Sequence, residues 1–170
     1  NNWDYSWITK IELFFLDFVK DNKDVTVKLR NNLMKSSTYV LQNVPKNSNL
    51  KLPNSKVKSE INTIINKLLK QRANRSTSAK KYDIAVTEYF NDAYLMLKEN
   101  YRILKNGGSC LWVVGDSALY NVHIPTDRLL GEVSSLVGFE FQGLEFLRNR
   151  RASRHNIKLR ESVIKMIKTN

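Results

Sequence analysis

A single cysteine, Cys110, leaves no partner for an internal disulfide and excludes any cysteine-rich metal site. Histidine is nearly as scarce: His123 and His155 are the only two, and their spacing is not that of metal ligands. No apolar run approaches the roughly 18 residues needed to cross a bilayer, and no signal-peptide pattern opens the chain. Together these absences predict a soluble protein of a reducing, cytoplasmic compartment. Glycine is missing from residues 20–81, and that stretch holds two of the three prolines, Pro45 and Pro53. Acidic residues are also few, 16 against 28 Lys and Arg, so the 170-residue chain carries a formal charge of +12.

That charge is unusual for an enzyme of small neutral metabolites and points to a polyanionic partner. A source that writes lysine wherever a solvated face is needed would produce the same balance, and composition alone leaves both readings open. The hydrophobic fraction of 42% fills the core of one ordinary domain. Because residue 1 is Asn rather than Met, the chain is expected to be a segment of a longer product.

The chain is organised around residues 102–127. Leu104-Lys105-Asn106-Gly107-Gly108 closes an amphipathic helix, with glycines where a positive φ is needed. Cys110 to Val114 then forms a short, nearly continuous apolar run, expected to be a parallel strand buried on both faces, with Cys110 a small core residue. Gly115-Asp116-Ser117 stands where that strand ends, and open α/β sheets bind ligands beyond the carboxyl ends of their strands. A loop over 118–124 leads to Pro125, with Thr126 as helix N-cap and Asp127 in the first turn.

Upstream, apolar residues from Ile8 to Val19 keep helical spacing after an aromatic cluster, Trp3, Tyr5 and Trp7, with Ser6 as N-cap. The aromatics suit packing, or else flank a stacked base. Residues 20–81 read as a short helix near 24–34, a loop over 36–53, a longer helix over 55–72 and a polar joint over 73–81. This basic helical insertion suits either tracking of a phosphate backbone or simple solvation. Residues 82–105 give the clearest helix. Downstream, a helix from 127 ends at Gly138, a strand covers 139–147, a basic loop 148–160 and a last strand 162–168. The final strand is expected to form a hairpin with the one before it.

Several of these stretches, taken in order, resemble one family. Asn1 to Ser6 followed by an amphipathic helix is similar to the segment just after the catalytic Pro-Pro-Tyr motif of bacterial amino-methylating DNA methyltransferases. Tyr89 to Gly108 resembles that family's helix and Leu-Lys-Pro-Gly-Gly turn, with Asn106 in place of the proline. Val113 to Ser117 resembles its strand-end motif, Ile124 to Asp127 its next helix start, and Leu159 to Val163 the start of its last strand. The matches cover about half the chain.

The resemblance implies an α/β chain of partial class I, Rossmann-like methyltransferase fold. Its sheet would be mostly parallel with a C-terminal antiparallel hairpin, plus a helical basic insertion at 20–81 as candidate target-recognition region. It implies methyl transfer from S-adenosylmethionine to an exocyclic amine of a flipped DNA base, cytosine N4 favoured over adenine N6, in restriction-modification or an orphan system. The glycine-rich cofactor turn and the Pro-Pro-aromatic tetrad are missing from this sequence, so cofactor and catalytic residues are assigned to a missing part or a partner chain. No catalytic residue is expected here.

The implied base pocket comprises Asp4, Tyr5, Gly115, Asp116 and Ser117, with Asp116 equally readable as a turn-former. Arg148, Arg150, Arg151, Arg154 and Arg160 are the candidate phosphate contacts. Some of these are expected to pair with Glu140, Glu145 or Glu161, Arg160 is the one most expected to be structural, and His155 reads as a surface hydrogen-bonder. Two alternatives stay open: an RNA-modifying methyltransferase, and a non-catalytic nucleic-acid-binding subunit on a degenerate methyltransferase scaffold.

Overall fold

A computed structural model describes residues 5–29, 32–35, 38, 41, 44–45, 48–151 and 157–169. The chain is a mixed α/β protein with antiparallel sheets. Its helices are α1 (Tyr5–Ile8), α2 (Lys10–Phe15), α3 (Lys56–Ala73), α4 (Tyr82–Ile103) and α5 (Thr126–Ser135), with a π-helical turn at Asp24–Leu29. The strands are β1 (Ser109–Gly115), β2 (Ser117–Leu119), β3 (Val122–Ile124), β4 (Glu140–Arg151) and β5 (Lys158–Ile167). The main sheet has the order β1-β5-β4, and β2-β3 is a separate hairpin.

Helices α3 and α4 form because their apolar residues recur on one face. Val57, Ile61, Ile64 and Leu68 of α3 and Phe90, Ala93 and Leu97 of α4 are buried in one core with Leu129, Leu130 and Val133 of α5. Ser55 caps α3, its hydroxyl accepting from the Lys58 N–H at 3.2 Å. From the sheet, Ile164 and Met166 enter the same core, with Phe141 and Leu144 against it. The expected hairpin is present: β4 pairs antiparallel with β5, with register shifts between Phe141 and Gly143 and between Phe146 and Arg148.

The end of α4 is tied to the end of β5. Gly107, at φ 76°, donates its N–H to the Lys168 carbonyl at 2.7 Å, a position where a side chain would be strained. Lys168 Nζ in turn donates to the carbonyls of Tyr101 and Leu104, both at 2.9 Å, satisfying acceptors that the helix end leaves open.

Several expectations are corrected. The main sheet contains no parallel pairing among the described residues: β5 enters between β1 and β4 and is antiparallel to both, so those two run the same way without touching as neighbours. Strand β1 is not buried on both faces. Cys110, Trp112 and Val114 turn toward the core, whereas Leu111 and Val113 are 62% and 64% exposed. Residues 118–124 are no open loop but most of the β2-β3 hairpin, closed by Tyr120 and Asn121 at φ 50° and 61°. The described part of the basic stretch 148–160 is strand apart from Ile157, with Arg148 to Arg151 in β4 and Lys158 to Arg160 in β5. The first helix is two short pieces, broken at Thr9 and ending before Asp17 at φ 56°, with Ser6 buried inside α1 rather than capping it. Thr126 opens α5 from within, its hydroxyl bonded to the Ile124 carbonyl at 3.2 Å, and does not cap it. No helix among the described residues is long and apolar enough to cross a membrane.

Candidate functional site

The carboxyl end of β1 is where the polar side chains converge. The ladder there outlasts the strand: the Asp116 N–H donates to the Arg160 carbonyl at 2.9 Å, which fixes Asp116 against β5. Asp116 is 4% exposed, and its Oδ2 meets His123 Nε2, from β3, at 2.9 Å. The β2-β3 hairpin therefore folds back so that its own histidine covers the acid from which it starts. Asp116 Oδ1 is buried with no hydrogen-bond partner among the described residues.

Asp127, fully buried in the first turn of α5, is the centre of the cluster. It accepts from Arg160 Nε at 2.8 Å and Nη2 at 3.3 Å, from Ser162 Oγ at 2.8 Å and from the Arg128 N–H at 2.7 Å. Arg160 also stands 3.8 Å from Asp116. Arg128 is held on the other side by Glu60 of α3 and Glu132 of α5, which ties α3 to this helix end.

Two carboxyl groups so close cannot both ionise freely. Burial pushes Asp116 above its ordinary value, and the neighbouring Asp127 adds to the rise, with His123 opposing. Burial acts on Asp127 in the same direction, but the Arg160 guanidinium, Asp116, Ser162 and the Arg128 N–H outweigh it and hold Asp127 low. Asp127 is the anion of the pair and Asp116 the more readily protonated acid. Arg160 is raised by Asp127 and stays a cation.

The open face of the sheet carries Arg148 and Arg150, and Arg151 alternates to the other face. Arg150 lies over Gly115: a Cβ built on that glycine would meet Arg150 Nη1 at 1.9 Å, so the absence of a side chain at 115 is what admits the guanidinium. Arg148 is exposed and paired with Glu161 across the hairpin, and Lys165 pairs with Glu145 on the same face. Arg151 ends β4 opposite Lys158, exposed.

Of the residues expected in a base pocket, Gly115, Asp116 and Ser117 are contiguous: among the described residues Arg150 fills the space at Gly115, Asp116 is buried, and half-buried Ser117 pairs with Ile124 in the hairpin. Tyr5 begins α1, which packs against the π-helical turn. Asp4, Arg154 and His155 lie outside the described residues. Among the arginines, Arg148 pairs with Glu161, whose carboxyl the charge of Arg150 also holds low, Arg160 pairs with Asp127, and Arg150 and Arg151 close β4.

His123 and Asp127 are functional-cluster members that residue patterns did not single out. The available signal was parity: Ser162, Ile164 and Met166 face the core, so Arg160 shares their side and requires a buried acid.

Cys110 is half-buried, with burial pushing its thiol up, which disfavours the nucleophilic thiolate. Among the described residues no group of three His, Cys, Asp or Glu side chains is placed to hold a metal ion. At Gly115, Gly131 and Gly138 the space a side chain would take is occupied by Arg150, Phe141 and Tyr101, whereas Gly107 and Gly143 have no neighbour within 4 Å of a built Cβ. Comparison with family models, with curated proteins and with solved structures finds no match.

Proposed function

We propose that this chain is the distal, nucleic-acid-holding part of an S-adenosylmethionine-dependent DNA amino-methyltransferase, with the cofactor and the methyl-transfer chemistry held on a missing part or a partner chain. The observation that carries this reading is the strand direction in the main sheet. A parallel sheet with one antiparallel strand toward its end is the layout of class I methyltransferase folds, and β1 and β4 run alike on either side of the reversed β5. On this reading the sheet continues beyond β1, whose outer edge has no strand partner among the described residues and whose Leu111 and Val113 are exposed. The Asp116-Asp127-Arg160 cluster then acts as a rigid seat behind the pocket wall rather than as acid or base. Arg150 and Arg151, with Arg154 of the same basic stretch, supply phosphate contacts.

The test is binding of fluorescently labelled duplex DNA by the 170-residue chain, in competition with structured RNA and at several salt concentrations, together with methyl transfer from labelled S-adenosylmethionine. Duplex binding that RNA displaces poorly, with no transfer by the chain alone, is the expected result. Preference for structured RNA would move the reading to RNA modification. Failure to bind either nucleic acid at moderate salt would remove it.

A further inference from the structure

A second cationic feature lies outside the arginine-rich hairpin. The joint between α3 and α4 and the tip of the β2-β3 hairpin enclose an open cleft of about 420 Å³, lined by Arg75, Ser76, Ser78, Lys80, Tyr82 and Tyr120. Among the described residues no acidic side chain lines it. Tyr120 is its organising residue. Held at φ 50° in the hairpin turn, it donates its hydroxyl to the Lys80 carbonyl at 3.0 Å and meets the edge of Tyr82, ring centroids 4.8 Å apart.

The Arg75 guanidinium lies over the Tyr120 ring, its central carbon 4.4 Å from the centroid. Stacking of this kind fixes a flexible cation and leaves its in-plane N–H groups available to an anion. Three residues earlier, Arg72 is already neutralised by Asp83 at 2.8 Å, whereas Arg75 forms no ion pair among the described residues. Beside it, the Ser76 and Ser78 hydroxyls are hydrogen-bonded to each other at 2.9 Å, which leaves one of their two protons to donate into the cleft. Helix α4 starts at Tyr82 with no side-chain cap, so the positive end of its dipole lies at the same place.

We propose that this cleft binds a phosphodiester group of a nucleic-acid strand, as a contact separate from the arginines of β4. The proposal rests on the nucleic-acid reading above and extends its footprint. The hairpin that carries Tyr120 begins at Ser117, two residues after the glycine that Arg150 covers, so on this reading one nucleic-acid strand runs from the arginines of β4 to the cleft.

The experiment is a salt titration of labelled-duplex binding for the wild-type chain and for Arg75→Gln, Arg75→Lys and Ser76→Glu, each at an exposed position, with circular dichroism as the control for folding. For Arg75→Gln the slope of log K against log salt should fall by about one relative to wild type, with weakening that is uniform across unrelated sequences. Arg75→Lys should keep most of the slope, and Ser76→Glu should weaken binding by setting a carboxylate in the cleft. Wild-type slope and affinity in both Arg75→Gln and Ser76→Glu would overturn the cleft as a contact while leaving the nucleic-acid reading intact. Absence of binding by the wild-type chain would overturn that reading, and the cleft proposal with it.

Discussion

Arg160 and Asp127, thirty-three residues apart, join the first turn of α5 to β5 through two hydrogen bonds of 2.8 and 3.3 Å between guanidinium and carboxylate. Asp127 is fully buried while the arginine side chain is 44% exposed, so the two partners have unequal stakes. Removing the arginine strands a buried carboxylate. Removing the acid frees a cation that can reach water. Arg160→Ala is therefore expected to cost about 2–3 kcal/mol, Ser162 and the Arg128 N–H retaining part of the carboxylate's support. Urea unfolding checks this: the midpoint should fall with an unchanged slope, and a loss under about 0.5 kcal/mol would show that water replaces the guanidinium.

The two carboxyls of the cluster give opposite pH signatures. Asp127 is held below its ordinary value of 3.8, so its contribution is complete above that pH and is lost as pH falls through the lowered folded value. Asp116 is raised above 3.8, so the folded protein holds a proton that the unfolded chain has released. Its contribution is complete below 3.8 and is lost as pH rises through the raised folded value. Asp116→Asn keeps the shape and removes that titration. Relative to wild type, the variant should gain stability as pH climbs from below 3.8 toward neutrality. A stability difference that stays flat over that range, measured by urea unfolding at each pH, would show that Asp116 ionises normally.

Gly115 and Arg150 should behave as a coupled pair. In an extended strand Gly→Ala ordinarily stabilises by about 0.4–1 kcal/mol through the unfolded chain, provided the Cβ has room. Here the Cβ would occupy the place of Arg150 Nη1. Gly115→Ala should give its full benefit only in an Arg150→Ala background, and less in the wild type, where the guanidinium must move. A double-mutant cycle by thermal or urea unfolding measures the coupling, and additive effects would mean that Arg150 relocates freely.

How much of this was legible in the sequence depends on whether the signal was local. Helices α3 and α4, the glycine turn at Gly107 and the β4-β5 hairpin follow from periodicity and turn residues, which act over a few positions. The β2-β3 hairpin lacks an Asn-Gly or Asp-Gly turn: Tyr120 and Asn121 adopt positive φ because the Tyr120 ring is anchored to Tyr82 and to the Lys80 carbonyl, a tertiary effect that no local pattern carries. The apolar run Cys110 to Val114 suggested burial on both faces, yet composition does not say whether a second layer is present, and Leu111 and Val113 are exposed. Arg148 and Arg160 are candidate phosphate ligands in sequence, with Glu161 among the expected partners and Arg160 the one expected to be structural; the register of β4 against β5 assigns Glu161 to Arg148, and only the fold of α5 onto the sheet reveals Asp127 as the partner of Arg160.

That division among the arginines yields the sharpest test of the hairpin. Arg148 is paired with Glu161, and Arg160 holds Asp127, so neutralising Arg148 should change duplex binding little. Arg150 and Arg151 close β4, and Arg154 follows in the same basic stretch. If these three neutralise phosphates, the combined Arg150→Ala, Arg151→Ala and Arg154→Ala variant should lower the salt slope by up to about 2.7, at roughly 0.9 per contact, and weaken binding to unrelated duplexes alike. A loss confined to one sequence would instead mark base-edge contacts, since phosphate contacts carry no sequence information. Unchanged binding at moderate salt would remove the hairpin end from the interface and leave the cleft at Arg75 as the remaining cationic anchor.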